Sequence, residues 1–322
     1  TDTTLLKINR KSLPSNIRLT VLGDAVLNFI ISNIIFLANP RESVLRMSKM
    51  RSLILGGEFF RQIIDKINLG KYFISVSGGP AAKLPNHTAK KLVQAIFGAI
   101  FIDSNLSSCF TAFKYFVMAD NKSVAESMFV LSPLGAQTLD FIIKADFSLQ
   151  GDISGSVNAA LQTISSSSQV PNLSGSSSNP QLNGSTSNSN LSSISMPISS
   201  TSILSSLMSD FPENHDHPVK YQNVYDAIKI SFPLNYLSLF QAAFTHSSCS
   251  KSFTSNERLS FVGEAFTKLI ISMLSYRCFP TADSDQLEYV IYEKMKELPL
   301  LAFDKQISTI TVVQPGFEDK LI

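Results

Sequence analysis

Apolar residues in the first third of the chain recur every three to four positions. Leu19, Leu22, Val26, Leu27, Ile30 and Ile31 lie on one face of a helix, and Leu92, Val93, Ile96, Phe97, Ile100 and Phe101 form a second such stripe. Ser43 to Ile54, with Leu45, Met47, Met50 and Leu53, predicts a third helix. Gly56-Gly57 interrupts it, Phe59, Ile63 and Ile64 resume the pattern, and Leu69-Gly70 marks a stop. The stretch from Val26 to Ala38 is the greasiest. It is shorter than the roughly 20 residues of a membrane span and holds Asn28, Ser32 and Asn33, so it reads as a buried helix. Strand signals are confined to the β-branched run Ile307 to Val313. The class is all-α.

Between Asp152 and Asp210 there is no charged residue, and the middle of that stretch is Ser/Asn-rich. Such a composition buries too little apolar surface to offset chain entropy, which predicts a disordered linker. The chain divides into residues 1–150, a low-complexity linker 151–215, and residues 216–322, with Ile203, Leu204, Leu207 and Met208 as a short docking segment. Residues 1–150 hold 17 Lys+Arg against 10 Asp+Glu, or +7. The remainder holds 10 against 15, or −5, giving the net +2. A basic front half suits a polyanion, or docking on the acidic back half. Cys109, Cys249 and Cys278 have no CxxC spacing, which argues for buried thiols in a reducing compartment.

The chain repeats itself weakly. Asn16-Ile17-Arg18-Leu19-Thr20-Val21-Leu22-Gly23-Asp24-Ala25 aligns with Asn256-Glu257-Arg258-Leu259-Ser260-Phe261-Val262-Gly263-Glu264-Ala265, and each copy runs on into an apolar helix ending at Asn39-Pro40 or Phe279-Pro280. Both decapeptides resemble the signature helix of the ribonuclease III family. Leu239 to Ser248, with Thr245-His246-Ser247-Ser248, is similar to that family's first-helix element, and Met47 to Leu55 resembles a later one. Gln94 to Asp103 resembles the second catalytic helix. The resemblance covers most of residues 12–110 and 236–305 and implies two helical domains of this family, the second incomplete at its C-terminus.

The resemblance implies an Mg²⁺-dependent endoribonuclease acting on double-stranded RNA, with four carboxylates, two on each catalytic helix, around the metal. At those positions the first copy has Thr20, Asp24, Lys91 and Gln94, and the second has Ser260 and Glu264. Only Asp24 and Glu264 remain as metal candidates. The expectation is a catalytically degenerate protein with no cofactor (Mg²⁺ if active), which binds structured RNA or scaffolds an RNA–protein assembly. The alternative is an active endoribonuclease in RNA processing. Asp24 and Lys91 are expected to form an ion pair in place of the metal.

Arg18, Lys49, Arg51 and Lys90 are the RNA-binding candidates, beside Arg46, Lys83 and Lys91. Val21 and Phe261 occupy the position of the family's interface plug, which implies that the two domains pair within one chain. Ribosomal or other ribonucleoprotein partners and a mitochondrial location follow by analogy with mitochondrial ribosomal proteins that carry lapsed domains of this family, while cysteine usage implies an intracellular location and the short apolar stretch no membrane. His215-Asp216-His217 reads as a solvated linker end, His246 with its serines as a capped turn, and Gly78-Gly79-Pro80 as a turn.

Overall fold

A computed structural model describes residues 16–73, 84–118, 133–144, 237–249 and 255–304. Helix α1 (Ile17–Ala38) is apolar nearly all round, and such a helix is stable only when neighbours cover every side. Leu22, Val26, Leu27, Ile30, Ile31, Ile34 and Ile35 are accordingly buried. Its most apolar window is 72% buried inside the protein, so a helix long and greasy enough to cross a bilayer serves as the core. Asn39 ends it. The Asn39 amide Nδ2 donates to the Ile35 carbonyl and to Thr138 Oγ1, both at 2.9 Å, and Pro40 cannot prolong the helix.

Helices α2 (Val44–Ile54), α3 (Gly57–Lys66), α4 (Asn86–Asp103), α5 (Leu106–Met118) and α6 (Pro133–Lys144) complete the N-terminal unit. Helix α3 turns Phe59, Phe60, Ile63 and Ile64 inward. Its outer face carries Arg61 between Glu58 and Asp65, at 2.7 Å from each. Rings of α3, α4 and α5 interlock, with Phe97 edge-on to Phe113 and Phe116. Two expectations shift. Helix α3 stops at Lys66 rather than at Leu69-Gly70, because Asn68 takes a left-handed conformation (φ 53°) and Leu69–Tyr72 forms a separate 3-10 turn. In α2 the inward residues are Met47, Met50 and Ile54, whereas Leu45 and Leu53 are 65% and 40% exposed.

The C-terminal segment comprises α7 (Leu237–Ala243), a 3-10 turn (Ser247–Cys249), α8 (Asn256–Cys278) and α9 (Ser284–Asp304). Helix α8 lies against α1, and its Phe261, Ala265, Leu269 and Met273 belong to the same apolar cluster as the α1 residues. Helix α9 packs on α8 and reaches α1. No strand occurs among the described residues, in keeping with an all-α class. The linker 151–215, the segment Ile203–Met208, the run Ile307 to Val313, Lys83, Gly78-Gly79-Pro80 and His215-Asp216-His217 lie outside the described residues. Cys109 is buried, which pushes its thiol pKa up to about 12, but Cys249 and Cys278 are exposed, correcting the expectation of three buried thiols.

Candidate functional site at the crossing of α1, α4 and α8

Helices α1 and α4 cross in backbone contact. A Cβ on Gly23 would overlap the Gln94 carbonyl, and one on Gly98 would overlap the carbonyl of Leu19. Glycine is therefore required on both sides of the crossing, which sets Asp24 beside Gln94. Gln94 Nε2 donates to Asp24 Oδ1 at 2.7 Å, and Lys268 Nζ, from α8, donates to Asp24 Oδ2 at 2.9 Å. The expected Asp24–Lys91 ion pair is absent. Lys91 is exposed, and the cation on Asp24 arrives instead from the second repeat. The residue that sequence reasoning missed is thus Lys268; only knowledge that α8 crosses α1 could have brought it forward.

The other motif positions are tied to their own helices. Thr20 Oγ1 donates to the Ile17 carbonyl and Ser260 Oγ to that of Glu257, both at 2.6 Å. Gln94 is buried, Ser260 and Glu264 are exposed, and no group of three or more His, Cys, Asp or Glu side chains converges among the described residues. Mg²⁺ requires several oxygen ligands in near-octahedral array. One carboxylate whose two oxygens already accept an amide and an ammonium does not fit it.

The second copy differs from the first at the same point. Gly263, the counterpart of Gly23, has nothing within 4 Å of its would-be Cβ. Phe266 is 38% exposed, whereas its counterpart Val26 is fully buried. No helix equivalent to α4 covers this face of α8 among the described residues.

Two arginines join α1 and α8 reciprocally. Arg18 donates to the main-chain carbonyls of Tyr276 (3.0 Å), Phe279 (2.9 Å) and Ala282, with its guanidinium 4.8 Å from the centroid of the Tyr276 ring. Arg258 donates to the carbonyls of Phe36 (3.4 Å) and Glu42, with its guanidinium 5.0 Å from the centroid of the Phe36 ring. Adding 240 to 18, 36 and 42 gives 258, 276 and 282, so these contacts exchange under the repeat register. The plug residues follow the same exchange. Phe261 is buried under the Arg51 guanidinium, 4.7 Å from its ring centroid, and Val21 is buried against Leu287 and Ile291, the counterparts of Met47 and Arg51.

Arg18 and Arg51 are therefore committed to contacts within the chain, Arg51 also donating to Ser32 Oγ at 3.3 Å. This corrects the expectation that they face a polyanion. Lys49 and Lys91 are exposed and Lys90 is half-buried, while Arg46 pairs with Glu42 at 3.2 Å. His246 Nδ1 accepts the Ser248 backbone N–H at 3.1 Å, and the Thr245 carbonyl accepts the Asn256 N–H at 2.8 Å, forming a local turn that feeds α8.

Residues 17–105 match the family model described as the Ribonuclease III domain. The chain is similar to proteins named Ribonuclease 3 from Pseudothermotoga lettingae (29% identity, 38% of this chain and 52% of the relative), Borreliella burgdorferi (34%, 31% and 42%) and Acinetobacter baylyi (35%, 27% and 39%). It spans about half the length, or less, of these curated relatives. Residues 17–105, which include the paired helices bearing Asp24 and Gln94, are thus similar to a ribonuclease III domain.

Proposed function

We propose that this protein is a ribonuclease III-like chain that binds double-stranded or structured RNA without cutting it, as a scaffold in an RNA–protein assembly. The observation that carries the reading is the state of Asp24, whose two carboxylate oxygens accept Gln94 and Lys268. Metal-assisted phosphodiester hydrolysis needs a cation that generates a nucleophile and neutralises the scissile phosphate. This donor set leaves that cation no ligand shell. The reciprocal arginines and exchanged plugs support a further element of the proposal, that two ribonuclease III-like repeats pair within one chain. A mitochondrial location and ribosomal partners extend it by analogy, and imaging of the tagged protein tests the former.

The second reading, an Mg²⁺-dependent endoribonuclease, is favoured by the names of the relatives. A long RNA duplex incubated with the chain and Mg²⁺ separates the two. The scaffold reading expects intact RNA and salt-sensitive binding in EDTA. Mg²⁺-dependent cleavage abolished by Asp24→Ala or Glu264→Ala would overturn it.

A further inference from the structure

The outer faces of α2 and α9 carry opposite charge in the same register. Residues 41–54 hold four basic and one acidic residue, or +3, and residues 281–294, 240 positions on, hold one basic and four acidic, or −3. Helix α2 packs on α1 and reaches α8, and α9 packs on α8 and reaches α1, so each turns one face away from that pair. On α2 this face presents Leu45, Lys49 and Leu53 at i, i+4 and i+8, with the leucines 65% and 40% exposed. On α9 it presents Glu288, Tyr289 and Tyr292, with the rings 66% and 57% exposed.

Most charges on these helices already have a neighbour. Arg46 pairs with Glu42, and Arg51 lies over the Phe261 ring. On α9, Lys294 pairs with Glu297 at 2.8 Å, and Lys296 lies 3.4 Å from Glu293 and 4.2 Å from the centroid of the Tyr292 ring. Asp283 accepts the Gln286 backbone N–H, and Asp285 accepts the Ser284 hydroxyl. Lys49 and Glu288 are both exposed, and neither takes part in a hydrogen bond or ion pair among the described residues. Tyr289, beside Glu288, makes no ring contact there.

We propose that the α2 face of one copy of this chain docks on the α9 face of a second copy, with Lys49 pairing with Glu288 and the two leucines packing on the tyrosine rings. One chain presents both halves of the complement, and both stay exposed, so they are not joined within the molecule. A nucleic acid matches only the basic face, and a basic peptide only the acidic one. A second copy matches both. Apolar side chains with charges around them are also the composition of a protein interface. Two single helix faces bury less than the roughly 1,200 Å² of a standard interface, so the association is weak and salt-sensitive.

The test is sedimentation of the full chain in RNA-free buffer, from roughly 1 to 500 μM. The average mass is expected to rise with concentration at low salt and to fall back as salt is added. Lys49→Glu and Glu288→Lys are each expected to weaken the association by about tenfold. The double variant is expected to regain most of that loss, because the pair is restored with its signs exchanged. Two further variants disable one face each: Leu45→Gln with Leu53→Gln on α2, and Tyr289→Gln with Tyr292→Gln on α9. Each alone is expected to stay monomeric. Their equimolar mixture is expected to give a one-to-one dimer, in which the intact α9 face of the first meets the intact α2 face of the second. Every substituted side chain is exposed, so each variant is expected to melt like the parent. A parent that remains monomeric at about 500 μM overturns the proposal, and so does a mixture of the two face variants that remains monomeric. Association that survives in either face variant alone assigns the contact to another surface and overturns it too. Mass that rises only when an RNA duplex is added assigns the basic face to RNA, and the second copy falls. The RNA-binding reading is tested separately by the duplex and does not depend on this contact.

Discussion

Lys268 Nζ lies 2.9 Å from Asp24 Oδ2, across 244 residues of chain. The ammonium joins α8 to α1. Both side chains are about one-third exposed, so water screens the pair. A double-mutant cycle on Asp24→Asn and Lys268→Gln, read by urea unfolding, is expected to give a coupling of about 0.2–1 kcal/mol that shrinks with added salt. A coupling that grows in Mg²⁺ would contradict this account of the site.

The two reciprocal arginines differ in burial, Arg258 being 3% exposed and Arg18 half-buried. Removing either leaves main-chain carbonyls without a charged donor, and of these bonds the one from Arg258 to Phe36 is buried while the others are part-buried or exposed. Arg258→Ala is expected to cost about 3 kcal/mol and Arg18→Ala about half of that, both measured by chemical denaturation. Arg258→Lys is expected to recover little, because an ammonium cannot span two carbonyls and stack on Phe36 at once.

Gly23 and Gly263 occupy the same place in the repeat and are expected to respond oppositely to alanine. At Gly23 the added methyl drives into the Gln94 carbonyl and forces α1 from α4, at about 3 kcal/mol or more. At Gly263 the methyl meets nothing, and the loss of backbone freedom in the unfolded chain is expected to stabilise by about 0.5–1 kcal/mol. Melting temperatures of the two variants check both signs.

Glu58 is expected to set part of the acid limit of the fold. Hydrogen bonds from Arg61, then Gln62, and from Asn86 at the start of α4 hold its carboxyl near about 2, below its ordinary 4.5. A carboxylate whose folded pKa is depressed contributes stability above its unfolded pKa and loses it as pH falls toward the folded one. The contribution is therefore full above about 4.5 and gone near about 2. Thermal melts of Glu58→Gln are expected to show a flatter pH dependence than the parent within that window.

The plugs suggest a rescue. Val21→Phe is expected to overpack against Ile291 and cost about 1–3 kcal/mol. Adding Ile291→Arg recreates the stacking that Arg51 makes on Phe261 and is expected to return part of the loss, read as a coupling in a double-mutant cycle.

Much of the helical content was legible from the 3.6-residue period, because α1 and α4 bury apolar faces whose spacing is written in the chain. The phase of α2 was not. Its apolar residues surround the helix, and only its neighbours decide that Met47 turns inward and Leu45 outward. Helices α5 and α6 carry no family motif, the Phe-rich face of α5 interlocking with α3 and α4 while α6 packs on α1 and α5. At the site, the residue types at the positions that match the family motif could be read from the sequence alone. The partner of Asp24 could not. Lys91 was the nearer basic residue on a motif helix, but the helix crossing delivers Lys268. Arg18 and Arg51 illustrate the same limit, since charge alone does not distinguish a cation facing solvent from one capping a carbonyl or covering a ring.

Arg18 and Arg258 find their main hydrogen-bond acceptors in the main chain of the opposite repeat. Every residue type supplies a carbonyl oxygen, so substitutions at Phe36, Glu42, Tyr276, Phe279 or Ala282 leave those acceptors in place as long as the helix ends keep their path. The junction is thereby insulated from drift in the side chains around it. Side chains along this seam can therefore change while the register of α8 on α1 stays fixed by the main chain.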